Sequence, residues 1–105
     1  MKVYIYALAD PDDFTVKYVG MTKNIKKRYA QHLKKLDKTD TPKRRWLERL
    51  FEQGKKPLLQ LLEISDEQNG RNREAFYFEK HKDTCLNIHN PKKGAKSRKL
   101  KDINL

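Results

Sequence analysis

The sequence predicts a small domain of the α/β (α+β) class, with a three-stranded, mainly antiparallel central sheet flanked by helices in the order β-β-α-α-β-α. Three observations predict it. The first twenty residues read as a two-stranded hairpin, two amphipathic helical stretches follow in succession, and a short apolar run stands between them and a third helical pattern. At 105 residues the chain can bury one modest core and has no room for a second.

The hairpin is Val3-Tyr4-Ile5-Tyr6 and Lys17-Tyr18-Val19-Gly20, with strong turn chemistry in Asp10-Pro11-Asp12-Asp13. Strand alternation places Tyr4, Tyr6 and Leu8 on one face and Val3 and Ile5 on the other. By the same alternation Val16, Tyr18 and Gly20 share a face opposite Val19. Gly20 leaves space for a backbone or ligand to come close. Aromatic cross-strand pairs stabilise sheets whatever their function, so the tyrosines alone specify only a hairpin.

Thr22 or Asn24 can cap a first helix running to about Lys35, with Ile25, Tyr29, Leu33 and Leu36 as its core stripe. Arg28 and His32, one turn apart, share the edge of that stripe. Asp37 to Thr41 is a polar linker, and Thr41-Pro42 opens a second helix. Its stripe is Trp46, Leu47, Leu50 and Phe51, its stop is Gly54, and Lys43, Arg44, Arg45 and Arg49 form a basic cluster.

The run Pro57 to Ile64 has the length and flanks of a strand well covered by helices, although its leucines leave a helix open. Ser65-Asp66-Glu67-Gln68 matches a capping box, and Gly70 moves the expected start of the third helix toward Arg71. That helix continues to around Lys82, and Leu86-Asn87-Ile88 closes the folded unit. Trp46, Phe51, Phe76 and Phe78 are expected in the core. The domain is therefore placed at residues 1–90. Residues 91–105, basic and almost without apolar side chains, are expected to form a flexible tail.

Composition narrows the class. With 36% hydrophobic and 37% charged residues the chain is polar but globular, and no apolar run is long enough to span a membrane. Strand residues follow Met1-Lys2 directly, so no signal-peptide pattern is present. A single cysteine, Cys85, excludes an internal disulfide framework and a Cys-based zinc site, and suits a small buried hydrophobe. A cytoplasmic protein is expected. The net charge is +11, with 19 basic and 13 acidic residues in 1–90 and six basic residues against Asp102 in 91–105. Both parts attract polyanions, of which nucleic acid is the commonest.

Five features stand in order along the chain: Tyr6, Tyr18 through Gly20, Arg28, Glu74 and Asn87. Together they resemble the GIY-YIG nuclease domain, here of the small stand-alone type. Its first motif appears as Tyr4-Ile5-Tyr6, its second as Tyr18-Val19-Gly20, and the likeness covers residues 2 to about 90. Tyr4 stands where the family motif has Gly, a variation that small members often carry. The resemblance implies an endonuclease that hydrolyses phosphodiester bonds of DNA with one divalent metal, Mg²⁺ or Mn²⁺. It implies Glu74 as metal ligand, Arg28 as the brace on the scissile phosphate, and Tyr6 and Tyr18 as the groups that position the attacking water. His32 is a second candidate for proton transfer or phosphate contact, and Asn87 holds the geometry. An ordinary tyrosine has a pKa of about 10, so a basic role requires nearby cations.

Lys23, Lys26, Lys27, Arg44, Arg45, Lys92 and Lys93 are candidates for contacts to backbone phosphates. The expected partner is DNA, including structured or branched DNA, with RNA left open, and no membrane; a monomer or weak dimer is expected. The alternative is a module that keeps the fold and binds nucleic acid without cutting it.

Overall fold

A computed structural model of the protein describes residues 1–34 and 41–87. Its elements are β1 (Lys2–Ala9), β2 (Val16–Thr22), α1 (Ile25–Leu33), α2 (Pro42–Glu52), β3 (Leu58–Asp66) and α3 (Glu67–Lys80), in the predicted order. The sheet runs β2-β1-β3, with both pairings antiparallel. As the middle strand, β1 is buried on both faces. Tyr6 and Leu8 pack with Trp46, Leu47 and Leu50 of α2 and with Ile25 and Tyr29 of α1. On the opposite face Ile5 and Ala7 join Val16 and Val19 against Tyr77 and Phe78 of α3. Eight residues thus carry both halves of the core, one face for each parity.

Two bulges change the predicted faces. Leu8 pairs with Tyr18 but Ala9 with Val16, so Lys17 is an extra residue. Val16 therefore turns to the Val19 side and not, as alternation alone implies, to the Tyr18 side. In β3 the partners pass from Glu63 to Leu61 across Ile5 and Tyr6, and Leu62 is the extra residue, packed toward α3. The expectation that helices cover β3 is not met. It is an edge strand, and Leu61 and Ile64, opposite Tyr6 and Tyr4, are 52% and 51% exposed. Phe76, expected in the core, is 49% exposed.

Helix ends follow local chemistry. The side chains of Asn24 and Thr41 accept from the backbone N–H groups of Lys27 and Arg44. Gly54, at φ 74°, closes α2 in the left-handed region. The cap of α3 is Asp66, accepting from Asn69 N at 2.8 Å, one residue beyond the predicted Ser65, and α3 begins at Glu67 despite Gly70. Gly70 is buried at the contact with the sheet: a Cβ there would meet Met21 Sδ and Val3 Cγ2 at 2.7 Å each. Close approach, not helix ending, is what this glycine provides. The helices end at Leu33 and Lys80, somewhat before the expected Lys35 and Lys82. Leu36, Ile88 and the segment 91–105 lie outside the described residues. Among the described residues no helix is long and apolar enough to cross a membrane.

Candidate active site

The two tyrosines come from adjacent strands. Tyr6 stands opposite Gly20 and Tyr18 opposite Leu8, which brings their ring centroids to 6.2 Å. What approaches Gly20 is the ring of Tyr6: a Cβ on Gly20 would lie 2.6 Å from Tyr6 Oη. The small residue of the second motif makes room for the tyrosine of the first.

His32 enters from α1 and is 6% exposed. Its Nε2 lies 2.7 Å from Tyr6 Oη, and its ring meets Tyr18 edge-on at 5.1 Å. Burial pushes its pKa down to about 3, assisted by the positive charges of Lys43, Arg28 and Arg44, so the imidazole is neutral at pH 7. Nδ1 lies 3.4 Å from Lys43 Nζ. An ammonium can only donate, so Nδ1 is the acceptor and Nε2 carries the proton that is donated to Tyr6 Oη. Lys43 also sits 5.0 Å from the centre of the Tyr18 ring.

Burial raises the pKa of both phenols. At Tyr6 the neighbouring Tyr18 adds to the rise, and a hydrogen bond and charge from Arg28 oppose it. At Tyr18 Arg28 lowers and Glu74 raises the value, with burial dominant. Arg28 therefore acts as the sequence implies but does not outweigh burial. The charges of Arg28 and Glu74 both reach the tyrosine pair, which ties α1 and α3 to one site. Glu74 is half-buried, and burial raises its pKa against the pull of Arg71 and Arg28. Arg28 itself is exposed, with Nη1 donating to Gln31 Oε1 at 3.4 Å.

Asn87 does not enter this cluster. Its Nδ2 donates to Val19 O at 2.9 Å, and its Oδ1 accepts from Val19 N at 3.2 Å. With Leu86 N donating to Lys17 O and Thr84 Oγ1 to Val16 O, residues 84–87 pair with the free edge of β2. Asn87 thereby fixes the backbone between Tyr18 and Gly20.

Beside Tyr18 lies a cavity of about 190 Å³, lined also by Arg28, Gln31, His32, Lys43 and Arg44. Arg44, a candidate for backbone-phosphate contact, is 4% exposed and lines this cavity. Sequence reasoning grouped Lys43 and Arg44 in the basic cluster of α2 and did not anticipate that Arg44 is buried. The signal was available: Arg44 is three residues before Leu47 and seven before Phe51, on the stripe of α2 that faces the core. Lys23 is exposed and paired with Glu67 at 3.0 Å, while Lys26, Lys27 and Arg45 are exposed. Lys92 and Lys93 lie outside the described residues.

Among the described residues no three His, Cys, Asp or Glu side chains stand together as a metal cage. Mg²⁺ needs none: it keeps several waters and takes one or two carboxylates plus substrate phosphate. Glu74, a half-buried carboxylate within reach of the Arg28 charge, is a donor of the kind that ion takes.

Comparison with known families agrees with the geometry. The model of the GIY-YIG catalytic domain matches residues 2–90. No curated protein and no solved structure matches the chain. Because the match spans nearly all of the 105 residues and includes both tyrosine motifs, Arg28, Glu74 and Asn87, the chain belongs to the GIY-YIG family of nucleases.

Proposed function

We propose that the protein is a metal-dependent DNA endonuclease that hydrolyses phosphodiester bonds at the site formed by Tyr6, Tyr18, Arg28 and Glu74. The observation that carries this reading is the convergence of a buried and a half-buried phenol, a cation and a half-buried carboxylate from four different elements. Each residue has a role its surroundings support. Arg28, exposed on α1, can reach a phosphate and brace it through its planar fork of donors. Tyr18 borders the cavity and is the hydroxyl that meets the attacking water. Tyr6, 1% exposed, holds Tyr18 from behind and is itself held by the proton on His32 Nε2. With burial dominant, both phenols are neutral in the free protein, and Tyr18 orients the water while Tyr6 fixes Tyr18. Glu74 would hold Mg²⁺ or Mn²⁺, which when bound supplies Lewis-acid stabilisation of charge on the phosphate. Asn87 acts at a distance by fixing Val19. Lys26, Lys27 and Arg45 offer exposed charge for backbone phosphates, independent of sequence.

Supercoiled plasmid incubated with Mg²⁺ tests the reading. The natural protein is expected to give nicked or linear product, and Arg28→Ala to slow this by about 10²–10³, the usual effect of losing one electrostatic contact to a transition state. Because Arg28 is exposed, its melting temperature should stay near that of the natural protein. Equal cutting by both proteins would remove Arg28 from the mechanism. Binding without cutting by the natural protein would favour the non-catalytic module.

A further inference from the structure

The cavity beside Tyr18 contains a cation the reaction described above does not use. Arg44 is 4% exposed, and its Nε and Nη1 have no hydrogen-bond partner. Among the described residues no carboxylate forms an ion pair with it. A guanidinium withdrawn from water without an anion is unfavourable, and buried donors are almost always satisfied. Lys43 and Arg28 line the same cavity, so three cations converge on a space that Glu74 does not border. Burial depresses the pKa of His32 first, and the positive charges of Lys43, Arg28 and Arg44 add to it. His32 supplies no counter-charge, because its neutral ring already bonds Tyr6 and Lys43. The space has room for a tetrahedral oxyanion beside Lys43 and Arg44 without occupying the Arg28 side, and Tyr18 forms part of its wall.

We propose that Lys43 and Arg44 form a phosphate seat, separate from the phosphate braced by Arg28, which holds a second phosphate of the bound strand while Arg28 and Glu74 serve the scissile one. Phosphate is the chemistry that satisfies Arg44: it brings several acceptor oxygens and a negative charge that none of the described lining residues supplies. The identity of the anion rests on the nuclease reading; the existence of the seat does not. The phosphate can be an internal diester of the strand or a monoester at its 5′ end, and both offer the same oxygens.

The test uses the full chain in EDTA, so that metal and cleavage play no part. Inorganic phosphate, titrated against chloride at constant ionic strength, is expected to raise the melting temperature of the natural protein. Arg44→Met should abolish that rise and melt, without phosphate, no lower than the natural protein, because a buried charge has been removed. Lys43→Gln, at a less buried position, should also reduce the rise and serves if Arg44→Met does not fold. Affinity for a short oligonucleotide should fall about tenfold in either variant, in line with one lost charged contact. An equal loss with 5′-phosphorylated and 5′-hydroxyl oligonucleotides assigns the seat to an internal phosphate, and a loss confined to the phosphorylated one assigns it to the terminus. An undiminished phosphate response in both variants, or a folded Arg44→Met that melts well below the natural protein in EDTA, overturns the proposal. Plasmid cutting by the natural protein is scored separately: phosphate binding without cutting leaves the seat standing and the nuclease reading refuted.

Discussion

Two polar clusters, on opposite sides of the sheet, contrast in how they are balanced. Between β3 and α3, Glu63 accepts two hydrogen bonds from Arg73 Nε, at 2.9 and 3.0 Å, and one from Tyr77 Oη at 3.0 Å. The Arg73 guanidinium also lies over the Phe76 ring at 4.5 Å. One positive charge meets one negative charge, and the hydrogen bond from Arg73 holds the Glu63 carboxyl below its usual range. Around Tyr18, by contrast, Arg28, Lys43 and Arg44 stand beside one half-buried and one buried phenol and a neutral histidine, and burial pushes the nearby carboxylate Glu74 toward its protonated form. The first cluster is complete within the chain and does structural work. Among the described residues the second has more cations than anions, an imbalance that the proposed phosphate ligands would offset.

The contrast can be sharpened by substitutions. The largest effect on stability is expected at Gly20→Ala, where the added methyl must displace the Tyr6 ring and disturb its bond to His32. A loss of about 1–3 kcal/mol in urea unfolding, typical of overpacking, should accompany loss of cleavage. An unchanged unfolding midpoint would mean that the two strands part more easily than their packing indicates.

His32 should give a smaller, pH-dependent effect. Its folded-state pKa, about 3, lies below its ordinary 6.5, so the unfolded chain takes up the proton first as pH falls. The stability it contributes is fully present above about pH 6.5 and is lost as pH falls toward the folded value, with a slope no steeper than about 1.4 kcal/mol per pH unit. Unfolding midpoints of the natural protein should therefore fall more steeply between pH 7 and pH 5 than those of His32→Gln. Parallel profiles would show that the ring is hydrated and not held neutral.

The smallest effect belongs to the balanced cluster. Glu63→Gln keeps an acceptor for Arg73 in a partly exposed setting, so cleavage should be unaffected and the melting temperature only slightly lowered. A large loss of cleavage there would erase the distinction between the clusters.

Much of this organisation was legible in the chain. Element order followed from periodicity and turn residues, and Tyr6, Tyr18, Arg28, Glu74 and Asn87 carry the resemblance without any coordinates. Legibility ended where a neighbour distant in sequence decides the outcome. Val16 changed face because residues 84–87 accommodate the bulge at Lys17, which no strand alternation reports. The leucines of β3 looked covered because an apolar run does not say which of its faces meets a helix. Gly70 looked like a helix breaker because only the packed structure shows Val3 and Met21 beneath it. The burial of Arg44 went unread for a different reason: its charge was given more weight than its place on the stripe of α2.

The most direct measurement is plasmid nicking by Glu74→Ala across a Mg²⁺ and Mn²⁺ titration, paired with oligonucleotide affinity in EDTA. If the unbalanced cluster is a metal-assisted phosphodiesterase, the natural protein cuts only with metal, and Glu74→Ala binds the oligonucleotide with little change while failing to cut at any metal concentration. Cutting by Glu74→Ala at the natural rate, or metal-independent cutting by the natural protein, would contradict it.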